Sequence, residues 1–275
     1  MGRDAGKGPG VDEMAHPDGE VIQERRGQVL VLRIDRAAKM NGFTPRMMDE
    51  LVGGLEELER DDALRCGVVC AEGRHFTAGL DLPRFREMQL RGEPAFPRGR
   101  LDPVDMRDPR REKPLVYAVK GICFTIGIEL MLAGDVAIAA ADCRFSQLEV
   151  KRGIMPGAGG SFRFTERGGW GNAMRYLLTG DEFSAEEALR IGLVQQVVET
   201  GKEFDTALAI AERIAAQAPL AVRATRANAL RALEHGSRAA IDDLNGLREL
   251  LASSDDAKEG VASFIEKRTA RFTGR

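Results

Sequence analysis

The fold is decided by residues 121–160, which read GICFTIGIELMLAGDVAIAAADCRFSQLEVKRGIMPGAGG. A glycine-flanked turn leads into a short apolar helix that carries Glu129, and a strand-like run follows at Asp135–Ala140. A second isolated acid, Glu149, precedes a glycine-rich turn at Pro156–Gly160. Carboxylates among residues that tend to be buried are costly unless they are paired or used in chemistry. We therefore predict that Glu129 and Glu149 face each other across a small-molecule site.

Composition limits the classes of protein to which this chain belongs. Its 275 residues suit one large domain, or one and a half, with a sizeable core. A net charge of -3 and an aromatic content of 5% argue against nucleic acid as a main partner. The four cysteines and three histidines lack paired metal-ligand spacing, so we expect no metal site. Buried thiols in a reducing cytosol explain the cysteines, and we predict a cytoplasmic protein.

No segment has the pattern of a secretory signal or a membrane span. The first twenty residues are polar and rich in glycine, without an apolar stretch. The most apolar run, Leu115–Ala141, is interrupted by Lys120, Glu129 and Asp135. We therefore predict that this run is strand, helix and strand inside a core.

Strands and helices are predicted to alternate along most of the chain. Val21–Arg25 and Val29–Ile34 form a predicted hairpin, and Thr44 is expected to cap a helix whose first residue is Pro45. Further strands are expected at Gly67–Ala71, Leu115–Val119, Asp135–Ala140 and Leu193–Val198. The recurring order of strand, helix and strand predicts a layered α/β body.

Three segments of different character follow from this pattern. Residues 1–19 are predicted to be disordered, residues 20–217 to form the α/β body, and residues 218–275 to be a helical region. Within the body, Arg91–Lys113 is rich in proline and arginine. We expect it to be either a mobile loop beside a site or a disordered insertion. Helices are expected at Glu203–Gln217, Pro219–Leu233, Arg238–Ala252 and Asp255–Lys267.

The two acids have structural as well as functional interpretations. Taken alone, Glu129 fits a helix-surface position and Glu149 a solvated position beside Lys151 and Arg152. As a pair they are more informative, because two carboxylates of different burial can hold different pKa values, one acting as acid and one as base.

Backbone N–H groups near the two acids are candidate donors to a developing oxyanion. Residues 77–81, Thr-Ala-Gly-Leu-Asp, link a buried strand to a helix, and Ile126 lies at the start of the Glu129 helix. Tight packing of strand onto helix would explain both segments equally well. Pro156–Gly160 lacks the Lys-Ser/Thr of a P-loop and does not fit a dinucleotide-binding fingerprint.

Several segments in the same order resemble the crotonase superfamily, the enoyl-CoA hydratases and isomerases, over residues 21–271. The segments are HFTAGLD at 75–81, residues 121–135, FSQLEVKRG at 145–153, PGAGG at 156–160, LTG at 178–180, SAEEALRIGLV at 184–194 and residues 259–267. The resemblance implies a crotonase (ClpP-like) spiral of ββα units with a helical C-terminal trimerisation region. It also implies an acyl-CoA thioester as substrate and a homotrimer, or a hexamer made of two trimers.

The resemblance assigns roles to particular residues. The two amides that hold the thioester enolate in this family fall on Ala78 and Ile126. The glutamate pair of the hydratases falls on Glu129 and Glu149, and both acids are present. This favours hydration of a trans-2-enoyl-CoA to a 3-hydroxyacyl-CoA, with Glu129 activating water and Glu149 protonating the α-carbon. No cofactor is implied, since coenzyme A is part of the substrate.

The resemblance also implies a binding site for the CoA moiety. Arg91–Lys113 would border the acyl pocket, and the end of the C-terminal helix would approach the nucleotide, commonly that of a neighbouring subunit. The implied CoA-binding residues are Ala38, Lys39, Met40, Gly79, Leu80, Asp81, Leu82, Phe264 and Lys267.

This chain departs from the family pattern at four positions. Thr125 and Ile126 replace glycines of the family, and Ile126 would be strained if its φ were positive. Leu148 replaces a proline before Glu149, and Ala38 replaces a basic residue that Lys39 would compensate.

Three alternatives to hydration stay open. One is another crotonase reaction, such as Δ3–Δ2 enoyl-CoA isomerisation, which needs one base and no positioned water. The second is a catalytically silent acyl-CoA binder in which Ile126 blocks the oxyanion hole. The third is a structural trimer whose arginine-rich loop binds RNA, which the net acidity and scarce aromatics disfavour.

Overall fold

The computed structural model of the chain describes residues 16–275. Most of the predicted disordered segment, residues 1–15, lies outside the described residues. The remaining four residues form a turn, in which Gly19 donates its N–H to the carbonyl of His16 at 2.7 Å, so disorder is the wrong description for them.

A mixed six-stranded sheet and a small three-stranded sheet form the centre of the fold. The large sheet has the order β1-β2-β3-β4-β6-β9, and the small sheet has the order β5-β7-β8. The strands are β1 (Glu20–Arg26), β2 (Val29–Asp35), β3 (Cys66–Ala71), β4 (Leu115–Val119), β5 (Ile122–Phe124), β6 (Val136–Ala140), β7 (Arg144–Ser146), β8 (Phe183–Ser184) and β9 (Gln196–Val198).

Helices connect the strands and make up the C-terminal region. The cap predicted at Thr44 is confirmed, because its side chain accepts a hydrogen bond from the N–H of Met47. The helices are α1 (Pro45–Arg60), α2 (Leu82–Leu90), α3 (Ile126–Ala133), α4 (Gly160–Gly168), α5 (Trp170–Thr179), α6 (Ala185–Arg190), α7 (Glu203–Ala215), α8 (Pro219–His235), α9 (Ser237–Ala252) and α10 (Asp255–Glu266).

The middle of the chain winds as a spiral in which successive turns add a strand to the large sheet, then a strand to the small sheet, and then a helix. In one turn β4 enters the large sheet, β5 enters the small sheet, and α3 follows. In the next turn β6 pairs parallel to β4, and β7 pairs parallel to β5. The turn before them follows the same order, with β3 parallel to β4, a single bridge from Thr77 to Cys123, and then α2. This arrangement confirms the predicted spiral of ββα units.

Both faces of the large sheet are buried. Residues that alternate along β2 point to opposite sides, and each set belongs to a different core cluster. Leu30, Leu32 and Ile34 belong to a core cluster shared with α1, α3 and the small sheet. Val29 and Val31 belong to a second cluster on the other face, which α7 covers with Ala207, Ala211 and Ala215. The continuous apolar strands of the sequence are therefore explained by burial on both faces.

The proline- and arginine-rich segment 91–113 has no helix or strand but is anchored to the body. Asp105 is buried and pairs with Arg226 of α8 at 2.7 Å, and Arg111 is buried and pairs with Asp135 at 2.7 Å. Mobility or disorder is therefore the wrong description of its second half, residues 101–113, since ion pairs and burial fix it in place.

Among residues 16–275 there is no helix with the length and apolarity that crossing a membrane requires.

All four cysteines are buried thiols, as predicted.

Gly121, which joins β4 to β5, is a tightly constrained position that tests this packing. Its φ is +56°, and an added Cβ would lie 2.2 Å from the carbonyl oxygen of Arg74 and 2.5 Å from Nδ1 of His75. Gly27 has a similar φ of +59° but open space around it, so it serves as a matched control.

We expect Gly121→Ala to lower stability by roughly 3 kcal/mol or more, because steric overlap with backbone adds to the cost of a positive φ. Gly27→Ala should cost only about 1 kcal/mol, which is the conformational part alone. Urea unfolding of both variants measures the difference. Equal losses at the two glycines would contradict the close approach of β5 to residues 74–75.

Candidate active site

The segment 77–81 lies between two other parts of the chain. On one side Thr77 donates its N–H to the carbonyl of Ile122 at 2.9 Å. On the other side Phe43 donates its N–H to the carbonyl of Gly79 at 2.9 Å. These bonds place segment 77–81 next to β5, the strand that leads into α3, and α3 carries Glu129.

The amide predicted at Ala78 is not available to a ligand. Ala78 donates its N–H to the carbonyl of Met40 at 3.0 Å. Leu80 is different, since within residues 16–275 its N–H donates to no acceptor. The reason is the parallel pairing with Phe43, which uses the carbonyl before Leu80 and the N–H after it. The prediction for Ala78 as donor is therefore wrong, and Leu80 supplies the unpaired amide.

Ile126 carries a second unpaired amide. It is the first residue of α3, and the first N–H groups of a helix have no partner within the helix. In the described part of the chain its N–H has no other acceptor either. The positive φ of 49° falls on Thr125 and not on Ile126. The Ile126 side chain is 2% exposed and packs in the core.

Glu129 lies one turn into α3 and is anchored by a neighbouring loop. Its Oε1 accepts hydrogen bonds from the N–H groups of Ala158 at 2.7 Å and Gly160 at 3.0 Å. Its Oε2 has no hydrogen-bond partner among residues 16–275. Burial raises the pKa of Glu129, while the two amides and the charge of Arg163 oppose this increase. One oxygen is thus fixed, and the other faces the site.

Glu149 begins a short 3-10 turn, Glu149–Arg152, and is 8% exposed. Burial, together with the nearby negative charge of Glu129, raises its pKa to about 7. Its own backbone N–H acts in the opposite direction. The two acids predicted to face one site therefore lie close enough to influence each other electrostatically.

Gln147 lies between these groups, and sequence reasoning missed it. It is fully buried, and its amide is oriented so that the nitrogen faces acceptors. In that orientation the nitrogen donates to the carbonyl of Thr125 at 3.3 Å and to both oxygens of Glu149 at 3.2 and 3.3 Å. It lies between the end of β7 at Ser146 and the 3-10 turn that begins at Glu149, so no periodicity in the sequence indicated its role.

The glycine-rich segment 156–160 packs against Glu129 and Gln147. A Cβ added at Gly160 would lie 2.4 Å from the Gln147 amide and 3.0 Å from Oε1 of Glu129. Only glycine lets this backbone approach both side chains. The segment was predicted to be a glycine-rich turn, but Gly160 also begins α4, which the sequence did not predict.

The first group of predicted CoA-binding residues lies together. Ala38 and Lys39 form an exposed 3-10 turn with Ala37, and Met40 follows it. The bond from Ala78 to the carbonyl of Met40 places this turn beside residues 79–82. Gly79 and Leu80 border the site, and Leu82 begins α2. Asp81 is used differently, since its carboxylate pairs with Arg36 at 2.8 Å.

Phe264 and Lys267 are not brought to this site by the single chain. Phe264 lies near the end of α10 and is 85% exposed, and Lys267 terminates α10 with φ 54°. Among the described residues, no hydrogen bond or ion pair joins either side chain to residues 38–40 or 79–82.

A cavity of about 760 Å³ lies beneath α8, away from the paired acids. Leu132, Ala133, Phe162 and residues of α8 line it, whereas Glu129 and Glu149 do not. We therefore locate the chemistry at the two carboxylates and two amides, and not in this cavity.

Comparison with known proteins agrees with this geometry. A family model described as enoyl-CoA hydratase/isomerase matches residues 24–275. The 2,3-dehydroadipyl-CoA hydratase of Escherichia coli is 33% identical over 93% of this chain and 99% of its own length. The 1,2-epoxyphenylacetyl-CoA isomerase of the same organism is 32% identical, over 90% of this chain and 95% of its own length.

A solved structure is similar over nearly the same span. The crystal structure of a probable enoyl-CoA hydratase/isomerase from Mycobacterium abscessus is 45% identical and has a TM-score of 0.90. It covers 93% of this chain and 98% of its own chain. With the spiral fold, the paired acids and the two free amides, these matches establish that the chain belongs to the enoyl-CoA hydratase/isomerase family and has the crotonase fold.

Proposed function

We propose that this protein is an enoyl-CoA hydratase that adds water syn to a trans-2-enoyl-CoA and yields a 3-hydroxyacyl-CoA. The observation that carries the proposal is the pair of buried, interacting carboxylates beside two unpaired amides. Hydration needs a base for water, an acid for carbon and donors for the enolate oxygen, and these four groups supply each of them.

Each group has a defined part in the proposed reaction. The free oxygen of Glu129 takes a proton from water as the water oxygen bonds to the β-carbon. The electrons of the C=C bond move toward the thioester, whose oxygen becomes an enolate held by the amides of Leu80 and Ile126. Glu149, protonated at the start, then delivers its proton to the α-carbon, and the thioester carbonyl re-forms. After product leaves, Glu129 releases its proton and Glu149 takes one up, which restores the starting state. Water and the thioester are the only reactants, so coenzyme A enters as part of the substrate.

The environments of the acids support this division of roles. Two backbone amides favour the charged form of Glu129, which suits a base. A pKa of about 7 leaves a large protonated fraction of Glu149 at neutral pH, which suits an acid.

Isomerisation is the second candidate, because one relative is named as an isomerase. It requires one base and no positioned water, whereas this site presents two acids. A silent acyl-CoA binder is less well supported, since the Ile126 side chain packs in the core and leaves its amide unpaired. RNA binding is also poorly supported, because arginines of the predicted loop, such as Arg100 and Arg111, are used in ion pairs.

We further propose a cytoplasmic homotrimer, or a hexamer of two trimers, in which the C-terminal helices reach a neighbouring subunit. The exposed Phe264 and Ile265 of α10 support this, since apolar side chains so exposed mark contact surfaces. In such an assembly, Phe264 and Lys267 would contact the nucleotide of substrate bound to the neighbour along Ala38–Met40 and Gly79–Leu82.

Glu129→Gln and Glu149→Gln should each lower kcat for hydration by roughly a thousandfold, because each removes one proton-transfer group without changing shape. Turnover is followed as loss of the conjugated enoyl thioester across short to long acyl chains. Glu166→Gln, the same change at an exposed acid of α4, is the control and should keep full activity. Loss in only one of the two catalytic variants would argue for isomerisation, and no turnover by the wild type at any chain length would overturn the proposal.

The rate of hydration should fall as pH rises above about 7, because Glu149 then loses the proton that it must donate.

The raised pKa of Glu149 also affects stability. A carboxyl whose folded pKa is raised stabilises the fold below its unfolded pKa near 4.5, and this contribution is lost as pH rises through about 7.

Glu149→Gln should therefore raise the Tm at pH 8 relative to wild type and change it little at pH 5. Thermal unfolding at both pH values tests this. A gain of equal size at both would mean that the carboxyl is not held protonated by burial.

The native mass should be three or six times the 30.0 kDa of one chain. Light scattering coupled to gel filtration measures it. Phe264→Glu, which places a charge on the exposed apolar end of α10, should shift the protein toward the monomer. A monomeric wild type would contradict the proposed assembly.

A further inference from the structure

Thr125, the residue before α3, has an unusual backbone for its type. Its φ is 49° and its ψ is -115°, which lies outside the left-handed helical region that Met40 and Lys267 occupy. Glycine adopts this conformation freely, whereas a β-branched residue is strained there. Strain of this kind persists where the surrounding structure imposes it, and such positions cluster at functional sites.

The hydroxyl of Thr125 lies against Gly79, the residue before Leu80. A Cβ placed on Gly79 would lie 2.4 Å from Oγ1 of Thr125 but 3.9 Å from its Cγ2 methyl. The hydroxyl therefore points toward Gly79. Leu80 follows Gly79 in the chain, and Ile126 follows Thr125. The hydroxyl thus lies beside the residues that carry the two unpaired amides.

This hydroxyl is available to a ligand. In the described chain, residues 16–275, Oγ1 of Thr125 neither donates nor accepts a hydrogen bond. Thr125 is partly exposed, although every residue of α3 that follows it is buried. A strained residue therefore presents an unpaired polar group at the opening of the site.

We propose that the Thr125 hydroxyl is a third hydrogen-bond donor to the thioester oxygen. The inference rests on the proposed binding of that oxygen between the amides of Leu80 and Ile126. As negative charge develops on the oxygen, an O–H donor gains more than it does toward the neutral carbonyl, because hydrogen bonds to charged acceptors are stronger. The hydroxyl therefore acts mainly on the reaction step and little on substrate binding.

Packing against Gly79 is the competing explanation for the same contact. Thr125→Val separates the two, because it keeps the shape, the branching and the backbone strain but lacks the donor. Thr125→Ser keeps the donor and lacks the methyl. Thr206→Val, the same change on α7 far from the acids, is the matched control.

We expect Thr125→Val to lower kcat for hydration by roughly tenfold to a hundredfold, with KM changed less than about threefold. Thr125→Ser should restore kcat to within about threefold of wild type, and Thr206→Val should match wild type. Equal activity of wild type and Thr125→Val, or equal impairment of the Ser and Val variants, would overturn the proposal. Should Thr125→Val fail to fold, Thr125→Ala removes the hydroxyl without added bulk.

A second measurement is independent of hydration. Acetoacetyl-CoA at saturating concentration should show an enolate absorbance band with wild type and Thr125→Ser, and a weaker band with Thr125→Val. If the wild type hydrates no enoyl-CoA, the proposed function fails, yet this comparison still decides the role of Thr125. Equal bands in all variants, or no band with wild type, would overturn the proposal that the Thr125 hydroxyl is a third donor.

Discussion

The hydrogen bonds from Ala158 and Gly160 to the Glu129 carboxylate are the contact on which the site depends. A carboxylate inside an apolar helix is costly to bury, and two backbone N–H groups reduce that cost. They also tie α3 to the segment that opens α4, and Gly160 brings Gln147 against the same group. Through Gln147 the connection extends to Glu149 and to the carbonyl of Thr125. One network thus sets both acids and the start of the helix that carries Ile126.

The two unpaired amides of the candidate site arise in different ways. Segment 77–81 is irregular, because Gly79 has a φ of +117°, so its amides do not alternate as they do in a strand. Pairing with Phe43 and Met40 uses the amides of Asp81 and Ala78, and this leaves the amide of Leu80. The helix start at Ile126 supplies the other donor for a different reason, because first-turn amides lack helical partners.

Two features of the candidate site oppose folding. Glu149 is buried with a raised pKa, and Thr125 holds a backbone conformation that suits glycine. Both features oppose folding and are held in place by their surroundings, by Gln147 and by the parallel pairing of β5 with β7. A stable sheet that is buried on both faces thus supports a strained residue, Thr125, at the candidate site.

Sequence alone determined the elements with strong local signals. The hairpin, the Thr44 cap, the buried strands β3, β4 and β6 and the C-terminal helices follow from periodicity and capping chemistry, which need only neighbouring residues. The sequence also predicts that Glu129 and Glu149 face each other, because acids stand out in apolar runs, and in the structure both are buried and influence each other electrostatically. The small sheet was missed, since strands of two or three residues carry too little periodicity to detect.

Tertiary structure alone decided which atoms are free to act. The unpaired amide is that of Leu80 and not that of Ala78, because this segment pairs with Met40 and Phe43, which lie far away in the sequence. The burial of Asp105 and Arg111 depends on Arg226 of α8 and on Asp135, just before β6, which composition does not indicate. A residue's type sets what it can donate or accept, but only its neighbours in space determine whether that capacity is already used.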